Sequence, residues 1–151
     1  PEDDVVAIAR GALRDAARLE ALVHDAPPTT HDMLVYRGIG KREALSACVG
    51  ADLRRCVERG FLSSSVSLVT ASTYGRVVQV LIPAGSHVLF LGSVVDRSYN
   101  DEDEVLFAPG ATFVDTRTQG PCTETSSFGS LTLESVPRIR FVGYEEDEDD
   151  E

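Results

Sequence analysis

Three short segments hold residue types that could do chemistry together: Leu34-Val35-Tyr36-Arg37-Gly38, Gly60-Phe61-Leu62-Ser63-Ser64-Ser65, and Tyr99-Asn100-Asp101-Glu102-Asp103-Glu104-Val105-Leu106. In the last, Glu102 and Glu104 stand two positions apart. In an extended segment such positions face the same way about 6.6 Å apart, so both carboxylates would look into one space. Paired acids of this kind serve cation-like transition states and proton transfers. An arginine closing a strand offers a two-pronged grip on phosphate, which a lysine cannot reproduce. A row of serines supplies hydroxyls able to hold an acid in place. Each segment alone also has a plain structural reading, as a strand cap, a loop edge and a solvated face.

Those residues need elements to position them. From Val5 to Val23 the apolar residues recur at three- and four-residue steps, which predicts an amphipathic helix packed on one face and ended by Pro27 and Pro28. Met33 to Tyr36 reads as a short buried strand. A turn at Gly38 and Gly40 follows, then a second helical region from about Lys41 to Arg59, with Gly50 placed to split it and Gly60 to cap it. Cys48 and Cys56 would lie on that region and fill its buried side. After Gly60 come short β-rich runs: Phe61 to Leu68, Val77 to Ile82, His87 to Leu91, Glu104 to Phe107, Thr112 to Thr116, Leu131 to Glu134 and Arg138 to Tyr144. Helices first and strands afterwards argue α+β with a mainly antiparallel or mixed sheet.

Taken in order, Tyr36-Arg37-Gly38, Phe61-Leu62-Ser63-Ser64-Ser65 and Glu102-Asp103-Glu104-Val105-Leu106 resemble the motifs of the Arg-Ser-Glu class of mono-ADP-ribosyltransferases. That clan includes the clostridial binary and C3-like toxins and the vertebrate ecto-enzymes. Its pattern is an aromatic-Arg-Gly strand, a Phe-x-Ser-Thr-Ser strand, and Glu-x-Glu or Gln-x-Glu before Val-Leu. The likeness runs from about Met33 to Val114, and Ser64 stands where the family has threonine. It implies N-terminal helices packed on two facing, mainly antiparallel or mixed β-sheets with a central NAD cleft. NAD+ is then a consumed substrate.

The resemblance assigns roles residue by residue. Departure of the cationic nicotinamide leaves an oxocarbenium-like ribose, and Glu104 would stabilise it through a ribose hydroxyl. Ser63 would fix Glu104. Arg37 would grip the pyrophosphate, and Gly38 would let the backbone approach the nicotinamide amide. Tyr74 and Arg76 stand where the family often has an aromatic on the nicotinamide ring and a second phosphate-binding arginine. The family uses Glu-x-Glu for arginine acceptors, so Glu102 implies a base for an incoming guanidinium, with Tyr99 against the target. The expected partner is an acceptor protein with an exposed arginine.

The rest of the chain sets bounds. With 151 residues and 42% hydrophobic content, one domain over residues 1–144 is expected. Seven consecutive acids, Glu145 to Glu151, supply −7 of the formal net charge of −11, which leaves −4 for the body. Such a tail repels itself and is expected to be disordered. No basic patch points to nucleic acid, and no apolar run points to a membrane. A monomer is expected. His24, His31 and His87 have no company at metal-ligand spacing, so no metal is assigned. Gly38-Ile39-Gly40-Lys41 lacks the spacing of a phosphate loop. Three cysteines leave an odd thiol in any pairing and suit a reduced compartment. The sequence starts at Pro1 without a methionine, which allows a leader or further domains upstream. Location stays open between a secreted toxin or effector acting in a cytosol and a cytoplasmic enzyme. Rival functions are an NAD+ glycohydrolase on the same fold, an inactive binding module and, less well matched without a tryptophan, a glycosidase.

Overall fold

The computed structural model describes residues 2–40, 43–49, 55–91 and 104–145. Helix α1 spans Glu2–Asp25. Its last turns dock, with Val23 fully buried and Leu19 and Ala26 packed on a cluster with Leu89, Leu106 and Ala108, whereas Ile8 and Leu13 are each 72% exposed. The expected one-sided packing therefore holds only for the end nearest the prolines. Strand β1 runs Met33–Ile39, longer than the expected Met33 to Tyr36, because it pairs along its whole length with β4 (Arg76–Ile82). Gly38 accordingly lies inside a strand and not in a turn.

The second helical region is overturned at its far end. Among its described residues only Ala44–Cys48 is helical (α2), and Arg55–Glu58 is strand β2, pairing antiparallel with β7 (Ala111–Ser126) from Arg55↔Val114 to Glu58↔Ala111. Cross-strand pairing outweighs the weak helical preference of so short a run. Gly60 therefore caps no helix, and Cys48 and Cys56 sit on different elements, both buried in the main core as free thiols. Strand β3 is Leu62–Ser65, and the run expected to continue to Leu68 turns instead into helix α3, Leu68–Ser72, whose N-cap Ser67 accepts from the Thr70 amide. Strands β5 (Leu89–Phe90) and β6 (Glu104–Phe107) follow. The three separate late runs expected from Thr112 onward belong to one long hairpin of β7 and β8 (Gly129–Tyr144), whose register shifts at Asp115/Thr118 and again at Gly120/Cys122, where the irregularity takes in Pro121.

The ladder order is β2-β7-β8-β4-β1-β3-β6-β5, antiparallel except for β4 with β8. This is a mixed α+β fold. One joint in the ladder is thin: β1 meets β3 at the single pair Tyr36↔Ser65, while β1 and β4 share seven pairs. Strands β6 and β8 stand four places apart, which in a flat sheet would be about 19 Å. Their Phe107 and Phe141 rings are nevertheless 5.0 Å apart, and Phe107 lies 5.3 Å from Phe113 on β7. The ladder thus folds over at the Tyr36–Ser65 seam into halves of five and three strands that face one another across the aromatic core. Among the described residues no helix is long and apolar enough to cross a membrane.

Candidate active site

Residues on both sides of the seam line a cleft of about 170 Å³: Tyr36, Arg37 and Gly38 from β1, Ser63 to Ser65 from β3, Glu104 from β6, and Thr70, Ala71 and Tyr74 from α3 and the turn after it. Its volume falls below the ~300–1,000 Å³ of whole small-molecule pockets, so the described residues enclose room for part of a larger ligand. Two larger cavities, of about 490 and 520 Å³, bring no carboxylate to face an arginine among the described residues; the titratable side chains there are Arg140, His87 and Tyr144 in the first and His31 in the second.

Strand alternation sorts the serines. Ser65 lies directly across from Glu104 and Ser63 across from Leu106, so Ser63, Ser65 and Glu104 share one face. Ser65 is thus the nearest cross-strand neighbour of Glu104, with Ser63 one pleat further along. Ser64 faces the other way with Leu62, toward the core that holds Val105 and Phe107; it is buried, and its hydroxyl has no hydrogen-bond partner among the described residues. A serine where a threonine would suit leaves that wall short of a methyl group.

Alternation places Arg37 on the face of β1 opposite Tyr36 and Gly38. Its guanidinium spans the seam, Nη1 donating to the Ser63 carbonyl at 2.8 Å. Glu43, the N-cap of α2, accepts from Nη2 at 2.9 Å and Nε at 3.4 Å. Among the described residues three of the five guanidinium N–H groups are so engaged, which leaves one on each terminal nitrogen. An arginine fixed in this way, with one further donor on each terminal nitrogen, can meet two oxygens of one anion. Sequence reasoning misses Glu43 because an acid six residues past an arginine obeys no spacing rule; in the fold its amide donates to the Gly40 carbonyl at 3.2 Å and its carboxylate meets Arg37. Arg76, across from Ile39 on β4, is exposed and lies diagonal to Arg37 on the same face, at the rim beyond the cleft lining. Tyr74 lines the cleft with 65% of its surface exposed. Tyr99 and Glu102 lie outside the described residues.

Gly38 proves tied to α3. A Cβ there would stand 2.1 Å from the Ala71 carbonyl oxygen and 2.9 Å from the Tyr74 Cβ, and one on Gly75, at φ +145°, would stand 2.7 Å from the Ile39 carbonyl oxygen. The glycine expected to let a ligand approach also lets the helix approach, and it lines the cleft as well. Among the described residues no group of three His, Cys, Asp or Glu side chains could hold a metal.

No protein-family model and no curated protein sequence matches the chain. Solved structures do. It is similar to the enzymatic component C2-I of the C2 toxin from Clostridium botulinum, with a TM-score of 0.61 and 13% identity over 89% of this chain and 36% of that one. Exoenzyme S from Pseudomonas aeruginosa, solved with human 14-3-3 protein beta and bound to carba-NAD, gives a TM-score of 0.58 and 12% identity over 83% and 56% of the two chains. The ADP-ribosylating toxin BECa of a Clostridium perfringens binary enterotoxin, solved with NADH, gives 0.59 and 12% over 84% and 34%. The chain thus spans between a third and somewhat over half of the length of these three proteins. With its seam, folded ladder and cleft, the architecture is the ADP-ribosyltransferase toxin fold.

Proposed function

We propose that this chain is a mono-ADP-ribosyltransferase that cleaves NAD+ at the nicotinamide–ribose bond and transfers ADP-ribose to an arginine side chain of a target protein. The observation that carries this is the convergence of Arg37, Ser63, Ser65 and Glu104 on one seam cleft, in a fold whose solved examples include complexes with carba-NAD and NADH. Arg37, preset by Glu43 and the Ser63 carbonyl, takes the pyrophosphate, with Arg76 as a second cation at the rim. The nicotinamide end enters the cleft beside Tyr74. As the glycosidic bond breaks, its electron pair leaves with nicotinamide, and the Glu104 carboxylate lowers the energy of the positive ribose. An arginine guanidinium is protonated at neutral pH and is no nucleophile. Glu102, two residues before Glu104, takes the proton as the new carbon–nitrogen bond forms. The products are nicotinamide, ADP-ribosyl-arginine and one proton, and no metal is required.

Residues 1–144 act as one catalytic unit and as a monomer, on a protein with an exposed arginine that Tyr99 helps to receive. The setting is that of a secreted toxin or effector working in a cytosol, or of an enzyme in its own cytoplasm. Incubation with NAD+, with and without agmatine as a small arginine analogue, tests the core of this. Nicotinamide release with ADP-ribosyl-agmatine is expected. Release without transfer would make the chain a glycohydrolase, and neither would leave it an inactive module.

A further inference from the structure

Helix α3 forms one wall of the cleft, yet its five residues are too few to hold a helical turn in place unaided. Its underside is fastened by burial: Leu68 and Ala71 sit in a cluster with Val77, Cys122 and Val136, backed by Tyr36, Leu131 and Leu133. Its leading end is fastened by one side chain from far away in the sequence. Glu124, two residues beyond Cys122 on β7 and so on the same face, accepts from the Leu68 amide at 3.2 Å, from the Val69 amide at 3.0 Å and from the Ser67 hydroxyl at 3.3 Å. Ser67 also caps Thr70, and its own amide donates to Ser65 Oγ at 2.9 Å. Ser65 in turn is the cross-strand neighbour of Glu104.

We propose that Glu124 is a positioning residue for the NAD site: it locks α3 against the seam and thereby sets the wall made by Thr70, Ala71 and Tyr74. This rests on the transferase reading above. A carboxylate that takes three donors leaves no slack at the head of the helix, and charge-assisted bonds are the stronger kind. Its loss frees two amides and a hydroxyl that the helix cannot satisfy within itself. The wall would then adopt several placements, each NAD molecule ordering it on binding, and the cost falls on affinity more than on the bond-breaking step.

The test compares Glu124→Gln and Glu124→Ala with the unaltered chain. Nicotinamide release is measured across NAD+ concentrations so that KM and kcat separate, and carba-NAD affinity is measured by calorimetry. Glu124→Ala is expected to raise KM and the carba-NAD Kd about tenfold, the size of effect set by losing such bonds, with kcat held within about twofold. Glu124→Gln, which keeps one acceptor oxygen and the same shape, is expected to fall between, and it decides the matter should the alanine variant not fold. Unchanged KM and Kd in the folded variants, with only a lower melting temperature, would reduce Glu124 to a fold-holding role and overturn the proposal. An unaltered chain that neither cleaves NAD+ nor binds carba-NAD would sink the transferase reading, and this inference with it.

Discussion

Replacing Gly38 with alanine puts a methyl carbon 2.1 Å from the Ala71 carbonyl oxygen, where ordinary contact begins near 3.4 Å, so α3 or β1 must shift by roughly 1 Å. The obstacle is backbone, and no change of rotamer relieves it. Overpacking of this kind costs about 1–3 kcal/mol, and the gain of alanine over glycine within a strand returns about 0.5–1 kcal/mol. A net loss of about 1 kcal/mol lowers the melting temperature of a domain this size by roughly 2–4 °C. The shift also moves the wall beside Tyr74, so KM for NAD+ should rise. Gly40 is an internal control two residues away, because a Cβ there meets nothing within 4 Å. Thermal melts of Gly38→Ala and Gly40→Ala without ligand, followed by NAD+ kinetics, separate packing from ligand access. Equal melting of the two variants would refute the helix contact as the reason for the glycine. A Gly38→Ala variant with full stability and poor NAD+ binding would restore the ligand-access explanation.

Glu104→Gln should cut both transfer and NAD+ hydrolysis by about 10²–10³ in kcat, whereas Glu102→Gln should remove transfer to agmatine and spare some hydrolysis; equal losses in the two assays would contradict the division of labour. Arg37→Lys surrenders the two-pronged grip and the links to Glu43 and the Ser63 carbonyl, so KM for NAD+ should rise by about tenfold or more, and an unchanged KM would reject its role. Tyr144 donates to the His87 carbonyl at 2.7 Å and accepts from the Ala108 amide, and burial pushes its phenol up to about 12. Because the folded value lies above the ordinary 10, the contribution of the neutral phenol is whole below pH 10 and drains away as pH rises through 12. Denaturant melts across that window should show falling stability that is flatter in Tyr144→Phe; parallel slopes would refute the assignment.

The contact between α3 and β1 explains why a glycine, a capping serine and a distant glutamate belong to one device. Gly38 and Gly75 let the helix lie against the strand, Ser67 starts it, and Glu124 anchors its head to the long hairpin. Ser67 and Glu124 are unremarkable in the sequence alone.

Residue order by itself determined the chemistry on offer and its order along the chain: an arginine ending an apolar run, serines at alternating positions, and a glutamate leading into Val-Leu-Phe. It also determined the strand character of Met33 to Tyr36, Val77 to Ile82 and Glu104 to Phe107, because alternation and apolar runs are local signals. Only the tertiary structure decided that Arg55–Glu58 is a strand, since its partner Ala111–Val114 lies some fifty residues away and pairing, not propensity, selects the conformation. The same holds for Glu43 at Arg37, which depends on how one turn folds back, and for Glu124 at Ser67, 57 residues apart. Periodicity reports which side of an element is buried and is silent on what buries it, and so, although the resemblance implies a cleft, only the structure shows that it forms where two half-sheets meet at a single pair.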